Sequence, residues 1–114
     1  MIRLKRPSQI EKMGRAGALT ASVLRAVTRK VAIGVTTLEL DALAERLIRK
    51  DGAEPLFKGY RGFPGTLCVS LNDEVVHGIP DGRKLKDGDL VSVDVGVRLD
   101  GWCGDAAVTI PVGE

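Results

Sequence analysis

The chain has 114 residues, of which 44% are apolar and 28% charged, and this composition is ordinary for a globular domain. A chain of this length forms one domain or part of a larger one, and it can bury roughly two thirds of its unfolded surface. The composition excludes collagen, low-complexity disorder and a miniprotein built on disulfides. No apolar run approaches the roughly 18 residues of a membrane span, and no apolar signal segment follows the basic start. We therefore expect a cytoplasmic protein with no membrane partner, in which Cys68 and Cys103 are reduced thiols.

The charge is unevenly distributed, although the net charge is only +2. Residues 1–50 carry 11 Lys and Arg against 4 Asp and Glu, whereas residues 51–114 carry 6 against 11. A basic half indicates a polyanionic partner such as RNA. The structural alternative is a solvated helix surface, because no aromatic residue interleaves the basic ones.

The first half of the chain predicts two amphipathic helices over about residues 8–52. Ser8, with Glu11 three residues later, forms a capping box that starts a helix ending near Gly34. Thr36 and Glu39 form a second capping box, and the second helix ends just before residue 52. The predicted apolar stripe of the first helix consists of Ile10, Met13, Ala16, Gly17, Leu19, Val23, Leu24, Val27 and Val31.

The second half predicts strands over about residues 65–112. A short strand is expected at 67–69 and the start of another at 75–76. Between residues 90 and 97, valines alternate with polar or small residues, which is typical of a half-buried strand. Asp100-Gly101 predicts a two-residue hairpin turn, and a return strand follows it. Helices followed by strands indicate an α+β fold, a single domain over residues 1–114 with two helices packed on an antiparallel sheet.

Asp94 interrupts a strand that is otherwise rich in valine, where aspartate is disfavoured. If Asp100 and Gly101 are the loop residues, Asp105 faces Gly96 and lies diagonally from Asp94 on the same face, with alpha carbons roughly 7–8 Å apart. Two such carboxylates repel each other unless a proton or a cation lies between them, and their oxygens suit one or two divalent ions. In the structural alternative, one aspartate caps the turn and the other faces water.

His77 is the only histidine, and Gly and Pro residues follow it and restrict the backbone. Its imidazole can donate a hydrogen bond to a substrate or carry a proton, although a lone histidine is more often structural. Three of the four aromatic residues, Phe57, Tyr60 and Phe63, lie in one loop rich in Gly and Pro. This loop is a candidate wall of an apolar pocket, and the alternative is that its rings anchor the loop to the core.

Taken together, these segments resemble the type I methionine aminopeptidases. The similarity is carried, in order along the chain, by FKGYRGFP at 57–64, CVSLNDEVVHGIP at 68–80, DGDLVSVD at 87–94 and DGWCGD at 100–105. The resemblance covers essentially the whole chain. It implies the N-terminal half of a pita-bread fold. It also implies a metalloaminopeptidase that removes N-terminal methionine from nascent peptides with Mn²⁺, Co²⁺, Fe²⁺ or Zn²⁺.

By matching position, the resemblance implies that Asp94 and Asp105 are metal ligands, with Asp105 bridging two ions. It implies that His77 is catalytic and hydrogen-bonds the substrate near the scissile amide. Asn72 lies where the family often holds a monovalent cation. The residues that would line the methionine pocket are Phe57, Tyr60, Phe63 and Cys68.

In the family, the remaining metal ligands are one histidine and two glutamates from the second half of the fold. This chain would therefore supply two of the five metal ligands. Activity would then need a complementary half or a second copy of the chain, and the chain alone is expected to have weak activity or none. A homodimer would create a site made only of oxygen ligands, which favours Mn²⁺ or Mg²⁺. We also expect an exposed strand edge and an uncovered apolar face.

Two alternatives to the enzyme stay open. The first is an inactive half-domain, or a homodimer that binds metal through carboxylates. The second is a module whose basic helices dock on ribosomal RNA, with binding that depends on salt and survives Asp94→Asn.

Overall fold

The structure is a computed structural model that describes residues 7–59, 62–72 and 78–113. Within these residues the elements are, in chain order, α1 Pro7–Lys30, α2 Thr37–Lys50, β1 Glu54–Pro55, β2 Leu67–Leu71, β3 Leu90–Leu99 and β4 Trp102–Pro111. The predicted order of helices before strands is confirmed. The strand expected to start at 75–76 lies outside the described residues.

The start and end of α1 differ from the prediction. Pro7 is the first residue of the helix and Ser8 lies inside its first turn, so the predicted cap at Ser8 is wrong. Proline suits the first helical position because its φ is already helical and its missing N–H would have no partner within the helix. The helix ends at Lys30, and Gly34 lies in the connection to α2 with a φ of 89°.

The face that α1 turns toward the sheet consists of Ala16, Leu19, Thr20, Val23 and Val27. Ile10 and Met13, which the periodicity placed in the apolar stripe, are 58% and 40% exposed, and Gly17 is also exposed. The prediction was wrong for these three residues because periodicity alone does not show how far the sheet extends beneath the helix. No residue before Ala16 in α1 is buried.

The second capping box is confirmed and starts α2. The Thr36 hydroxyl accepts a hydrogen bond from the Glu39 N–H (3.1 Å), and Glu39 Oε2 accepts one from the Thr36 N–H (3.3 Å). Both interactions satisfy N–H groups that the first turn of a helix leaves without a partner. The helix then buries Leu40, Ala44 and Ile48 against the sheet.

The sheet is antiparallel and is organised around β3. Strand β4 pairs with one side of β3, and β1 and β2 pair with the other side. Helix α1 packs on β3 and β4, while α2 packs on β1 and β2. The core between the two layers contains the alternating valines of β3, Val91, Val93, Val95 and Val97, each at most 1% exposed. The predicted α+β class is confirmed.

The other side of the sheet, here called the open face, has no helix packed on it within the described part of the chain. Because side chains alternate along a strand, the residues of this face follow from the pairing: Glu54, Cys68, Ser70, Leu90, Ser92, Asp94, Gly96, Arg98, Cys103, Asp105, Ala107, Thr109 and Pro111. Apart from Leu90, which is 49% exposed, and Pro111, these residues are polar or small, so among the described residues this side of the sheet is not the uncovered apolar face that was expected. The expected exposed strand edge is the outer edge of β4. Among the described residues, β4 pairs with β3 alone, so this prediction is confirmed for them.

Candidate metal centre

The β3–β4 hairpin brings two carboxylates to the open face. Asp100 and Gly101 form the turn with φ angles of 52° and 81°, and Gly96 then pairs with Asp105. Two successive positive φ angles are the signature of the hairpin turn that Asp-Gly favours. The predicted register is therefore confirmed, and Asp94 and Asp105 are diagonal neighbours on one face.

The charge of Asp105 acts on the Asp94 carboxylate. The pKa of Asp94 is raised, first by burial and second by the negative charge of Asp105. Asp94 is half-buried whereas Asp105 is exposed, so the pair lies at the boundary between the sheet surface and solvent. A cation between them would relieve this repulsion.

Cys68 lies directly beside the carboxylate pair. It is opposite Asp94 in the β2–β3 register and is half-buried. Its pKa is raised by burial and by the charge of Asp94, so the thiol is held neutral. The structure thus brings a predicted pocket residue to a predicted metal ligand.

Phe57 borders the same site from the loop that follows β1. A Cβ at Gly96 would lie 3.1 Å from Phe57 Cε1 and 3.0 Å from Leu56 Cδ2, so these side chains cover Gly96 on the open face. Since Gly96 pairs with Asp105, the Phe57 ring covers a residue next to the carboxylates on the same face of the sheet. Gly96 was not among the predicted site residues, although an isolated glycine in a valine-rich strand is a signal of close approach.

Two other predicted site residues, Phe63 and Asn72, make described contacts outside this cluster. The half-buried Phe63 accepts a hydrogen bond from the Gly59 N–H through its carbonyl oxygen (2.8 Å), which closes the loop. Asn72 follows β2, where its carboxamide donates to Asp89 Oδ1 (3.1 Å) and accepts from the Leu90 N–H (2.9 Å). The cation role of Asn72 stays a prediction. Tyr60 and His77 lie outside the described residues.

Two carboxylates of α2, which were not among the predicted site residues, hold the loop before β2 and the start of β2. Asp41 Oδ1 accepts the N–H groups of Thr66 and Leu67, both at 2.7 Å. Glu45 binds the Lys58 ammonium and accepts from the Thr66 hydroxyl (3.1 Å). Their spacing, one helical turn apart on the same side of an amphipathic helix, was the available signal.

The Glu45 contacts predict a pH dependence of stability. The hydrogen bond from Lys58 is the main cause that lowers the pKa of Glu45 from 4.5 to about 2. Since folding lowers this pKa, the ionised Glu45 carboxylate stabilises the folded state above pH 4.5. This stabilisation is lost as the pH falls toward 2 and the carboxylate is protonated. We expect the difference in unfolding free energy between the wild type and Glu45→Gln to shrink over this range in urea titrations. A difference that is independent of pH would contradict the prediction.

Comparison with known proteins shows the family of the chain. Residues 11–114 match the model of metallopeptidase family M24. The chain belongs to this family. It is 50% identical over 114 residues to methionine aminopeptidase 1 of Bacillus subtilis strain 168, and the match covers 100% of this chain and 46% of the relative.

Solved structures of methionine aminopeptidases have the same fold. The enzyme from Thermotoga maritima superposes with a TM-score of 0.91 at 49% identity, and the enzyme from Rickettsia prowazekii with 0.93 at 41%. Each match covers 100% of this chain and 46% of the solved chain. The M24 chain therefore spans about half the length of the relatives it matches, and the predicted half pita-bread fold is confirmed.

Membership of the M24 metallopeptidases implies a divalent metal cofactor. Within the described ranges, no group of three or more His, Cys, Asp and Glu residues gathers in a way that could hold a metal ion. Asp94 and Asp105 are thus a pair of neighbouring carboxylates and not part of a group of that size among the described residues. None of the described helices has the length and apolar character needed to cross a bilayer.

Proposed function

We propose that this M24 chain supplies Asp94 and Asp105 to the divalent-metal site of a cytoplasmic methionine aminopeptidase, which removes N-terminal methionine from nascent peptides. The observation that carries the proposal is the hairpin register, which puts both carboxylates on the open face. The relatives at about half identity are methionine aminopeptidases, and this supports the reaction class.

The donor set fits a divalent ion. Carboxylate oxygens are hard ligands that suit Mn²⁺, Mg²⁺ and related ions. The pKa of Asp94 is raised first by burial and second by the charge of Asp105, and such an ion would remove the repulsion between the two carboxylates. A bound divalent ion would supply Lewis-acid polarisation of the scissile carbonyl and a water acidic enough to react at neutral pH. The remaining ligands would come from a complementary half, or from Asp94 and Asp105 of a second copy of the chain.

The residues beside the carboxylates suit a methionine side chain. The Phe57 ring and the neutral Cys68 thiol form an uncharged wall next to Asp94, and thioethers make favourable contacts with aromatic rings. In the proposal, Tyr60 and Phe63 complete the pocket. His77 donates a hydrogen bond to the substrate near the scissile amide.

A titration with Mn²⁺ tests the metal site on the 114-residue chain itself. We expect binding with a dissociation constant on the order of 1 mM, which broadens the amide signals around Asp94 and Asp105 first in NMR spectra. Asp94→Asn and Asp105→Asn should each remove this broadening. Asp100→Asn is the matched control, because it changes a carboxylate of the same hairpin that lies in the turn. Equal broadening in all variants would refute the site.

An assembled enzyme tests the reaction. The chain would be coexpressed with the part of the Bacillus subtilis relative that it does not match, and hydrolysis of a Met-Gly-Met peptide would be measured. We expect Asp105→Asn to abolish turnover, and His77→Ala to lower turnover while Mn²⁺ binding is retained. Loss of the metal in His77→Ala would refute the role of His77. Light scattering with and without Mn²⁺ tests assembly of two copies, and a strict monomer in both conditions would exclude it.

A further inference from the structure

Glu45 of α2 connects the two arms of the loop between β1 and β2. These two strands pair with the same edge of β3, and the loop of residues 56–66 leaves that edge between them. Oε1 of Glu45 binds the Lys58 ammonium and also accepts a hydrogen bond from the Thr66 hydroxyl at 3.1 Å. One carboxylate oxygen therefore holds a residue near the start of the loop to the residue at its end.

Both arms lead directly to the uncharged wall that Phe57 and Cys68 form beside the metal centre. Lys58 follows Phe57, whose ring covers Gly96: a Cβ at Gly96 would lie 3.1 Å from its Cε1. Thr66 is followed, two residues later, by Cys68 on the open face. The contacts of one carboxylate thus link the two residues of the wall.

The Phe57 ring depends on this link more than the Cys68 thiol does. Cys68 lies within β2, and the two residues before it also donate their N–H groups to Asp41 at 2.7 Å. Phe57 is half-buried in the loop, between Leu56, whose N–H donates to a carbonyl oxygen of β3 (2.9 Å), and Lys58. Loss of the Lys58 contact would therefore release the ring and leave the thiol in place.

We propose that Glu45 is a positioning residue for the first side chain of the peptide. Acting through Lys58 and Thr66, its carboxylate fixes the Phe57 ring relative to the Cys68 thiol and keeps the uncharged wall in one shape. A wall that cannot move rejects a side chain whose branch does not fit, such as that of leucine, in favour of methionine. The inference rests on the proposed aminopeptidase function and adds to it a residue of the helical layer.

The link acts on position more than on stability. The Lys58 and Glu45 side chains are 42% and 26% exposed, and ion pairs at such exposure contribute only modestly to the free energy of unfolding. We therefore expect Glu45→Gln to fold, which makes a test on the folded protein possible.

The assembled enzyme tests the specificity, with Met-Gly-Met and Leu-Gly-Met as substrates. We expect Glu45→Gln to lower the ratio of kcat/KM for methionine over leucine about tenfold. For the methionine peptide, KM should rise with kcat nearly unchanged, because the wall contacts the side chain equally in the ground state and the transition state. Lys58→Met should have the same effect, and the double variant should not add to it. Arg49→Gln is the matched control, because it removes the hydrogen bond that Glu45 Oε2 accepts from within α2 (3.1 Å) and should keep the ratio.

NMR on the 114-residue chain tests the position of the ring without any activity. A nuclear Overhauser contact between the Phe57 ring and Gly96 should be present in the wild type and Arg49→Gln, and weakened in Glu45→Gln. An unchanged contact in Glu45→Gln, or an unchanged ratio of methionine to leucine, would overturn the proposal. Absence of hydrolysis by the wild-type assembly would refute the proposed function and the specificity with it, and the NMR contact would then decide the positioning of Phe57 by itself.

Discussion

Replacing Asp41 with alanine is expected to lower the free energy of unfolding by about 2–4 kcal/mol. One carboxylate oxygen of Asp41 accepts the N–H groups of both Thr66 and Leu67 at 2.7 Å. Both residues are fully buried, so water would not replace the lost acceptor, and each buried N–H left without a partner costs about 1–3 kcal/mol. The segment that leads into Cys68 and the candidate metal centre should also exchange its amide hydrogens faster.

Asparagine at position 41 is the matched control. Its side-chain oxygen can accept the same two hydrogen bonds, and it avoids the charge that burial disfavours, as the raised pKa of Asp41 indicates. We expect Asp41→Asn to stay within about 1 kcal/mol of the wild type in urea unfolding. Equal losses in the Ala and Asn variants would show that the two hydrogen bonds are not what holds the start of β2.

Alanine at Gly104 is expected to cost about 2–3 kcal/mol, because α1 lies directly on this residue of β4. A Cβ there would be 2.8 Å from Thr20 Oγ1 and 3.0 Å from the Ala16 carbonyl oxygen. The Thr20 hydroxyl donates a hydrogen bond to that same carbonyl (2.7 Å), which keeps both atoms in place. The helix would therefore have to move away from the sheet, and valine at this position should cost more than alanine.

Alanine at Gly17, in the helix that faces Gly104, is expected to stabilise the protein instead of destabilising it. Gly17 is exposed within α1, and a Cβ there would meet no atom within 4 Å. Alanine restricts the unfolded chain more than glycine does, so a gain of about 0.5–1 kcal/mol is expected. Chemical denaturation of both variants measures the contrast. An unchanged stability for Gly104→Ala would contradict the close contact between α1 and β4.

The features that the sequence predicted correctly depend on short-range physical chemistry. The Thr36–Glu39 capping box involves atoms three residues apart, so the start of α2 follows from local hydrogen bonds. The Asp100-Gly101 turn fixes two positive φ angles, and these set the register of β3 and β4. With the register known, alternation along the strand places Asp94 and Asp105 on one face.

The features that the sequence predicted wrongly depend on contacts between distant segments. Ile10 and Met13 fit the helical period, but they are exposed because the α1 face that meets the sheet begins at Ala16. Among the described residues, the open face is not the uncovered apolar face that was expected, because both helices lie on the valine side of β3 and leave the polar side open. Similarly, Asp41 reaches N–H groups 25 and 26 residues away.

By itself, then, the sequence determined the class of fold, the hairpin and the shared face of the two carboxylates, because turn conformation and side-chain alternation are local properties. Only the tertiary structure decided which neighbours surround those carboxylates. The Phe57 ring lies against Gly96, and Cys68 faces Asp94, through pairings between residues tens of positions apart. Such contacts follow from how the helices and loops pack on the sheet, a long-range arrangement that periodicity and turn motifs do not encode.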